Sequence, residues 1–128
     1  MTVDSEHMTN YQSLEAWKKS MNLVTATYVA VKSYPKEEVY ALTSQTKRAS
    51  VSIPANIAEG IGRNYKKDTI QFLHISRGSL YELQTLLVLG NSLGFLNIDS
   101  HESLRLQIEE CLRLLNGLIN YYEKSELK

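Results

Sequence analysis

Residues 52–63, with the sequence SIPANIAEGIGR, decide how the fold is interpreted, because they place a proline inside a pattern typical of a helix. An interior proline removes one backbone hydrogen bond and costs about 3 kcal/mol. The apolar residues nevertheless keep helical spacing on both sides of Pro54. They are Leu42, Ala49, Ile53, Ile57 and Ile61. The sequence therefore predicts one helix over residues 37–62, kinked at Pro54, rather than a break at residues 52–54 followed by a short helix.

Three further segments show the same three- and four-residue spacing of apolar side chains, over residues 12–33, 65–93 and 100–123. The first has one such face, formed by Leu14, Trp17, Met21, Val24, Tyr28 and Val31. No useful length of strand alternation is present. Four long amphipathic helices with short connections predict an all-α fold, an up-down-up-down four-helix bundle over residues 9–128.

The helix ends also carry signals. Glu37 and Glu38 suit the first turn of the second helix. Asn64 is a candidate N-cap for the third, and Asp99 with Glu102 resembles a capping box for the fourth. The third helix has two apolar faces, which predicts that it is either the central helix or packs on another subunit.

Size and composition limit the possible classes of protein. A chain of 128 residues is enough for one domain with one core. The single cysteine, Cys111, excludes an internal disulfide and suits a reducing, cytoplasmic location. No apolar run reaches the roughly 20 residues that span a bilayer, so no membrane role is expected. Residues 1–8 are polar and unpatterned, and we expect them to be a disordered tail or a vector-derived remnant.

A row of polar side chains follows the predicted second helix beside the isoleucines, at spacings of three and four residues. It consists of Gln45, Arg48, Ser52, Asn56, Glu59 and Arg63. Such a row is either a hydrated surface or a packed polar seam, within the bundle or between subunits. We favour a seam, because small neighbours allow close approach, and Gly78 in the third helix indicates the same. Arg77 and Glu82 flank Gly78 but lie on different faces of that helix, and both are assigned to the seam.

Catalytic and metal sites are poorly supported. None of the three histidines follows a glutamate at the spacing of a bundle-type di-iron site. Gly60 and Gly62 lack the third glycine and the strand of a dinucleotide fingerprint, and no phosphate-binding loop motif occurs. We therefore predict no enzyme, no catalytic residues, no metal and no cofactor.

The charges are segregated along a chain whose formal net charge is zero. Residues 39–81 contain six basic and two acidic residues, a net charge of +4. A basic segment of this kind indicates an anionic partner, although an ordinary solvated surface has the same composition. The candidate nucleic-acid-binding residues are Lys47, Arg48, Arg63, Lys66 and Lys67. Tyr65 beside them is a candidate for base stacking, or alternatively a core residue.

Several runs resemble a known family. The chain contains Leu14–Trp17 after an aromatic residue, YPKEEVYALTSQ at 34–45, RASVSIPANIAEG at 48–60 and RGSLYELQT at 77–85. These resemble the bacterial four-helix-bundle family encoded in intervening sequences of 23S ribosomal RNA genes, over nearly all of residues 11–122. A related branch is the accessory subunit of diversity-generating retroelements.

The resemblance implies a bundle that assembles as a ring, typically a homopentamer, with no catalytic residues assigned. We therefore expect a non-enzymatic homo-oligomer that binds structured RNA, or other nucleic acid such as DNA, through pooled basic residues. The alternative is a protein-interaction scaffold or accessory subunit with a protein partner and no direct nucleic-acid contact.

Overall fold

The computed structural model describes residues 10–126, and this part of the chain forms four α-helices without any strand. The helices are α1 (Glu15–Ala30), α2 (Leu42–Ile61), α3 (Lys66–Ser92) and α4 (Ile98–Lys124). Consecutive helices pack on each other, and α1 also packs on α4. The predicted all-α four-helix bundle is thus confirmed, while the up-down-up-down order and the kink stay predictions. The tail predicted at residues 1–8 lies outside the described residues.

The core consists of aliphatic side chains from all four helices. Its largest fully buried members include Leu23, Ile53, Leu73, Leu80 and Leu115. Burial of each such side chain contributes about 1.5–3 kcal/mol of hydrophobic stabilisation. No helix within residues 10–126 combines the length and apolar character needed to cross a bilayer.

The predicted core face of α1 is rotated relative to the observed one. Met21 and Tyr28 are 42% and 40% exposed, whereas Ser20 and Thr27 are buried. Both buried hydroxyls donate to carbonyls one turn earlier in α1, those of Ala16 and Leu23. Because these hydroxyls are satisfied within the helix, small polar residues can line the core, which apolar spacing alone does not reveal.

Helix α2 continues through Pro54 without a break, as the unchanged phase of its apolar residues predicts. Pro54 is buried with Ile53 and Ile57, so the proline ring adds to the apolar face. The alternative of two helices separated at residues 52–54 is therefore wrong.

The start of α2 differs from the prediction. The sequence predicts a helix from residue 37, but Lys36–Glu38 form a 3₁₀ turn and α2 begins at Leu42. The carboxylate of Glu38 accepts a hydrogen bond from the Leu42 amide at 3.2 Å. Glu38 therefore caps α2 from outside the helix rather than occupying its first turn.

The N-caps predicted for the next two helices are also wrong. Tyr65, not Asn64, is the N-cap residue of α3, and no side chain caps that end. Helix α4 begins after Asn97, whose Oδ1 accepts from the Ser100 amide at 2.7 Å. Asp99 does not cap α4, because Asn97 already accepts a hydrogen bond from a free amide at this end of the helix.

Two glycines, neither of them Gly78, allow close packing. A Cβ added at Gly60 would lie 2.8 Å from the Phe72 Cβ, and one at Gly90 would overlap the Tyr34 hydroxyl. A Cβ added at Gly78 meets nothing within 4 Å. Within the chain, Gly60 and Gly90 rather than Gly78 are therefore the sites of close approach, and an approach of another subunit at Gly78 stays a prediction.

The two glycines inside α3 form a matched pair for mutagenesis. We expect Gly90→Ala to destabilise the fold by about 1–3 kcal/mol, because the added methyl group displaces the Tyr34 ring. Gly78→Ala should be neutral or stabilising by up to about 1 kcal/mol, because alanine favours helix and the site is open. Urea unfolding followed by circular dichroism measures both. Equal effects at the two sites would contradict the close contact at Gly90.

Cys111 gives a second test of the core. Its side chain is 1% exposed, and burial raises the pKa of its thiol to about 11, despite a hydrogen bond with Ser20. Because the pKa is raised in the folded state, the folded protein binds more protons than the unfolded chain above pH 9. The resulting contribution to stability is complete below pH 9 and decreases as the pH rises through 11.

We therefore expect Cys111 to react with a thiol reagent at pH 8 only at the rate of protein opening. Guanidinium-unfolded protein, which exposes the same thiol, serves as the control and should react at once. Rapid stoichiometric labelling of the native protein would contradict the buried position.

Candidate nucleic-acid interface

The turn between α2 and α3 carries a group of basic residues around an exposed aromatic ring. We define Arg63, Tyr65, Lys66 and Lys67 as the basic turn. Tyr65 is 63% exposed, which answers the question left open by the sequence: the ring is not part of the core. An exposed tyrosine among cations has the composition of a surface that stacks bases and contacts phosphates.

The cations of the basic turn are not equally free. Arg63 pairs with Glu59 at 2.8 Å, and its guanidinium carbon lies 4.6 Å from the centre of the Phe72 ring. The Lys66 Nζ donates to the main-chain carbonyl of Ser125 at 3.0 Å. Lys67 is exposed and has no partner among residues 10–126. Lys67 is thus the residue of this turn whose charge is fully available to an anion.

The two remaining basic candidates lie far from this turn. Lys47 and Arg48 precede Arg63 by about four turns of α2, which is about 22 Å along the helix for Arg48. The Lys47 Nζ lies 4.9 Å from the centre of the Tyr28 ring, whereas Arg48 is exposed without a partner in the described part of the chain. A single copy therefore presents two separate basic sites rather than one patch.

The middle of the polar row joins α2 to α3 within one chain. Asn56 donates to the Ser52 hydroxyl at 2.9 Å, and the Ser52 and Ser79 hydroxyls lie 2.8 Å apart. The Ser79 hydroxyl also reaches the Ile75 carbonyl at 3.3 Å. Because these groups satisfy one another, this part of the seam is a contact inside the bundle.

The upper part of the row opens into a polar cleft between α2 and α3, with a volume of about 470 Å³. We define this polar cleft by its lining residues, Tyr40, Ala41, Ser44, Gln45, Arg48, Ala49, Ser52 and Glu82. The side chains of Gln45 and Glu82 have no hydrogen bond or ion pair within residues 10–126. The cleft thus contains two charged side chains that are not paired, the guanidinium of Arg48 and the carboxylate of Glu82.

Two residues assigned to the seam lie elsewhere. Arg77 donates to Asn116 Oδ1 of α4 at 2.8 Å and to His74 Nδ1 at 2.8 Å, so it joins α3 to α4. Glu59 is engaged with Arg63 at the surface, where such a pair contributes about 0–1 kcal/mol. The six predicted seam residues therefore lie in four different places. Ser52 and Asn56 join α2 to α3, and Gln45 and Glu82 line the polar cleft. Glu59 pairs with Arg63 at the surface, and Arg77 contacts α4.

Several residues of these sites are absent from the sequence-based assignment. Tyr40 and Ser44 line the polar cleft, and Ser76 and Ser79 bind α2 from α3. The serines had a usable signal, since Thr69, Ser76 and Ser79 are polar at positions that share the apolar spacing of Leu73, Leu80 and Leu83. No such signal marked Tyr40, because the apolar spacing placed this residue inside the predicted second helix.

Metal-binding geometry is absent from residues 10–126, where no three histidine, cysteine, aspartate or glutamate side chains cluster suitably for an ion. His74 Nδ1 is occupied by Arg77, and its Nε2 lies 3.8 Å from Glu123. These contacts give His74 a place in a polar chain that links α3 and α4.

Comparison with known proteins agrees with the resemblance seen in the sequence. The model of the family described as 23S rRNA-intervening sequence protein matches residues 12–117. A similar solved structure is that of a protein of unknown function from the S23 ribosomal protein family of Bacteroides thetaiotaomicron. It has a TM-score of 0.76 at 24% identity, covering 82% of this chain and 95% of that chain. Among curated proteins there is no significant match.

The crystal structure supports the helical fold, and the family model covers the first three helices and most of α4. The chain belongs to the family of 23S rRNA-intervening sequence proteins.

Proposed function

We propose that this chain is a non-enzymatic, homo-oligomeric, up-down-up-down helical bundle that binds structured RNA through basic residues pooled from several copies. The observation that carries the proposal is the basic turn, where Lys67 has no partner among residues 10–126 and Tyr65 is exposed. The name of the family, which refers to an intervening sequence of 23S rRNA, makes RNA the first nucleic acid to test.

The local charge explains why pooling is part of the proposal. Glu59 and Asp68 lie next to Arg63, Lys66 and Lys67, so the basic turn together with these two carboxylates has a formal net charge of only +1. Phosphate contacts add in proportion to the number of cations that displace counterions. Several copies held together multiply a weak contact through their effective concentration, which suits a ring such as the proposed pentamer.

Exposed apolar side chains on α3 support self-association. One face of α3 is buried, but its second face leaves Ile75, Leu89 and Leu93 45%, 46% and 57% exposed. Packing against another copy would remove these side chains from water and contribute about 25 cal/mol for each Å² of apolar surface.

The same exposed face favours the alternative function, a scaffold that binds a protein partner and does not contact nucleic acid. Exposed apolar surface of this kind marks protein contacts without specifying the partner. The two functions differ in the role of Lys67, because a scaffold that binds through the apolar face of α3 does not need that cation.

For RNA binding we expect Lys67→Ala to weaken affinity and to reduce the salt slope of log K by about one for each Lys67 engaged. Fluorescence anisotropy with a structured RNA between 50 and 200 mM salt, a range chosen from the general salt dependence of such complexes, measures both quantities. Lys67 is preferable to Lys66, whose loss would also remove the contact with Ser125.

Lys32→Ala is the matched control, because Lys32 is exposed at the end of α1, away from the basic turn. It should leave RNA affinity unchanged. If the wild-type protein shows no salt-sensitive binding to RNA or DNA, the proposal of nucleic-acid binding is wrong and the scaffold function is favoured.

For assembly we expect Leu89→Lys to convert the oligomer to a monomer of 14.6 kDa without loss of helix content. The physical reason is that a buried, unpaired ammonium group opposes association across the apolar face. Leu106→Lys on α4 is the control, because Leu106 is similarly exposed at 53%. Light scattering after size exclusion gives the masses, and a monomeric wild-type protein would rule out the oligomer.

A further inference from the structure

We infer that the polar cleft binds an unpaired guanine base of the RNA, held by Arg48 and Glu82 and stacked on Tyr40. This inference rests on the proposed function and specifies what the RNA presents. The site is separate from the basic turn and lies near the start of α2. The polar cleft has about 470 Å³ of space, which is ample for one planar heterocycle.

The first argument is the pair of unmatched charges. Arg48 belongs to α2 and Glu82 to α3, and both line the same cleft. They form no ion pair with each other, and neither has any other partner among residues 10–126. Opposite charges that share a cleft without pairing are suited to a ligand that offers acceptors to the cation and donors to the carboxylate.

The second argument is the chemistry of the four bases. Guanine presents two acceptors, O6 and N7, on one edge, and a guanidinium binds these two atoms in a bidentate manner. Its Watson–Crick edge presents two adjacent donors, N1–H and the N2 amino group, which match the two oxygens of a carboxylate. Adenine mixes a donor with an acceptor on each of these edges, and neither pyrimidine offers both a double acceptor and a double donor edge.

The third argument is the stacking surface. Tyr40 is 94% exposed and lines the cleft, so its ring is not engaged by the core. Unpaired RNA bases are recognised by stacking on such rings combined with hydrogen bonds to their edges. Gln45 and Ser44 add uncommitted donors and acceptors on the α2 wall. A base in a duplex has its Watson–Crick edge occupied, so the cleft selects an unpaired guanine.

The test uses short uridine-rich RNAs that contain one central guanosine, adenosine, inosine or 7-deazaguanosine. Inosine lacks the N2 amino group, and 7-deazaguanosine lacks the N7 acceptor. For the full-length protein we expect the guanosine RNA to bind about tenfold more tightly than the adenosine RNA, since each bidentate contact discriminates by this order. Inosine and 7-deazaguanosine should each lose part of this preference.

Two substitutions assign the two edges. Glu82→Gln should bring guanosine and inosine to similar affinity, because the carboxylate that reads the N2 amino group is gone. Arg48→Met removes the donors and should bring guanosine and 7-deazaguanosine together, because no group then binds N7. Tyr40→Ala should weaken all four RNAs by a similar factor. Glu37→Gln, an exposed glutamate outside the cleft, is the matched control and should preserve every preference.

The outcomes separate this inference from the proposed function. If the RNAs bind without preference for guanosine, the inference is wrong and the proposed function stands. If no RNA binds, the proposed function is wrong, and titration with GMP and IMP by nuclear magnetic resonance tests the cleft separately. Equal shifts with both nucleotides, or none, then overturn the inference. If the Glu82→Gln variant forms an oligomer of different mass but keeps the preference for guanosine, the cleft is a contact between copies. That result also overturns the inference.

Discussion

The close contact between α2 and α3 is the constraint on which the rest of the structure depends. At its lower end Gly60 admits the Phe72 side chain, and the Thr69 hydroxyl donates to the Gly60 carbonyl at 2.7 Å. Further along, the Ser76 hydroxyl donates to the Ile53 carbonyl at 2.8 Å. These side chains of α3 bond directly to the backbone of α2, which holds the two helices in close contact.

This contact also explains how a proline is accommodated in the middle of α2. Pro54 is buried beside Ile53, whose carbonyl is bonded by Ser76 across the interface. The missing backbone donor weakens the helix locally, and the packing of its apolar face compensates for the loss. The same stretch therefore provides both an apolar face toward the core and the Ser52 and Asn56 groups that bind α3.

The position of the candidate sites follows from this helix pair. The basic turn lies at one end of the pair, and the polar cleft lies near the start of α2, beside Tyr40. The polar cleft combines residues of α2 with Glu82 of α3 and with the connection before α2, and the basic turn combines the connection after α2 with the first residues of α3. A change in the α2–α3 contact would therefore be expected to alter both sites at once.

The number of helices, their approximate extent and the continuity of α2 could be predicted from the sequence, because apolar periodicity is a local property. The candidate basic residues could also be identified from the sequence, since the charge of a side chain depends only on the residue type. The sequence could not show which of these basic residues are engaged by other groups of the protein and which are not. Lys66 and Lys67 are identical neighbours, yet only Lys66 meets the Ser125 carbonyl, 59 positions away.

Tertiary structure alone decided where each polar side chain finds a partner. Arg77 and Glu82 lie five residues apart on one helix, but Arg77 meets Asn116 of α4 while Glu82 faces the cleft with Arg48. Gly78 and Gly90 look alike in the sequence, and only Gly90 lies against another side chain. Periodicity specifies the face of a helix, whereas the identity of its neighbour depends on long-range packing, which no local pattern contains.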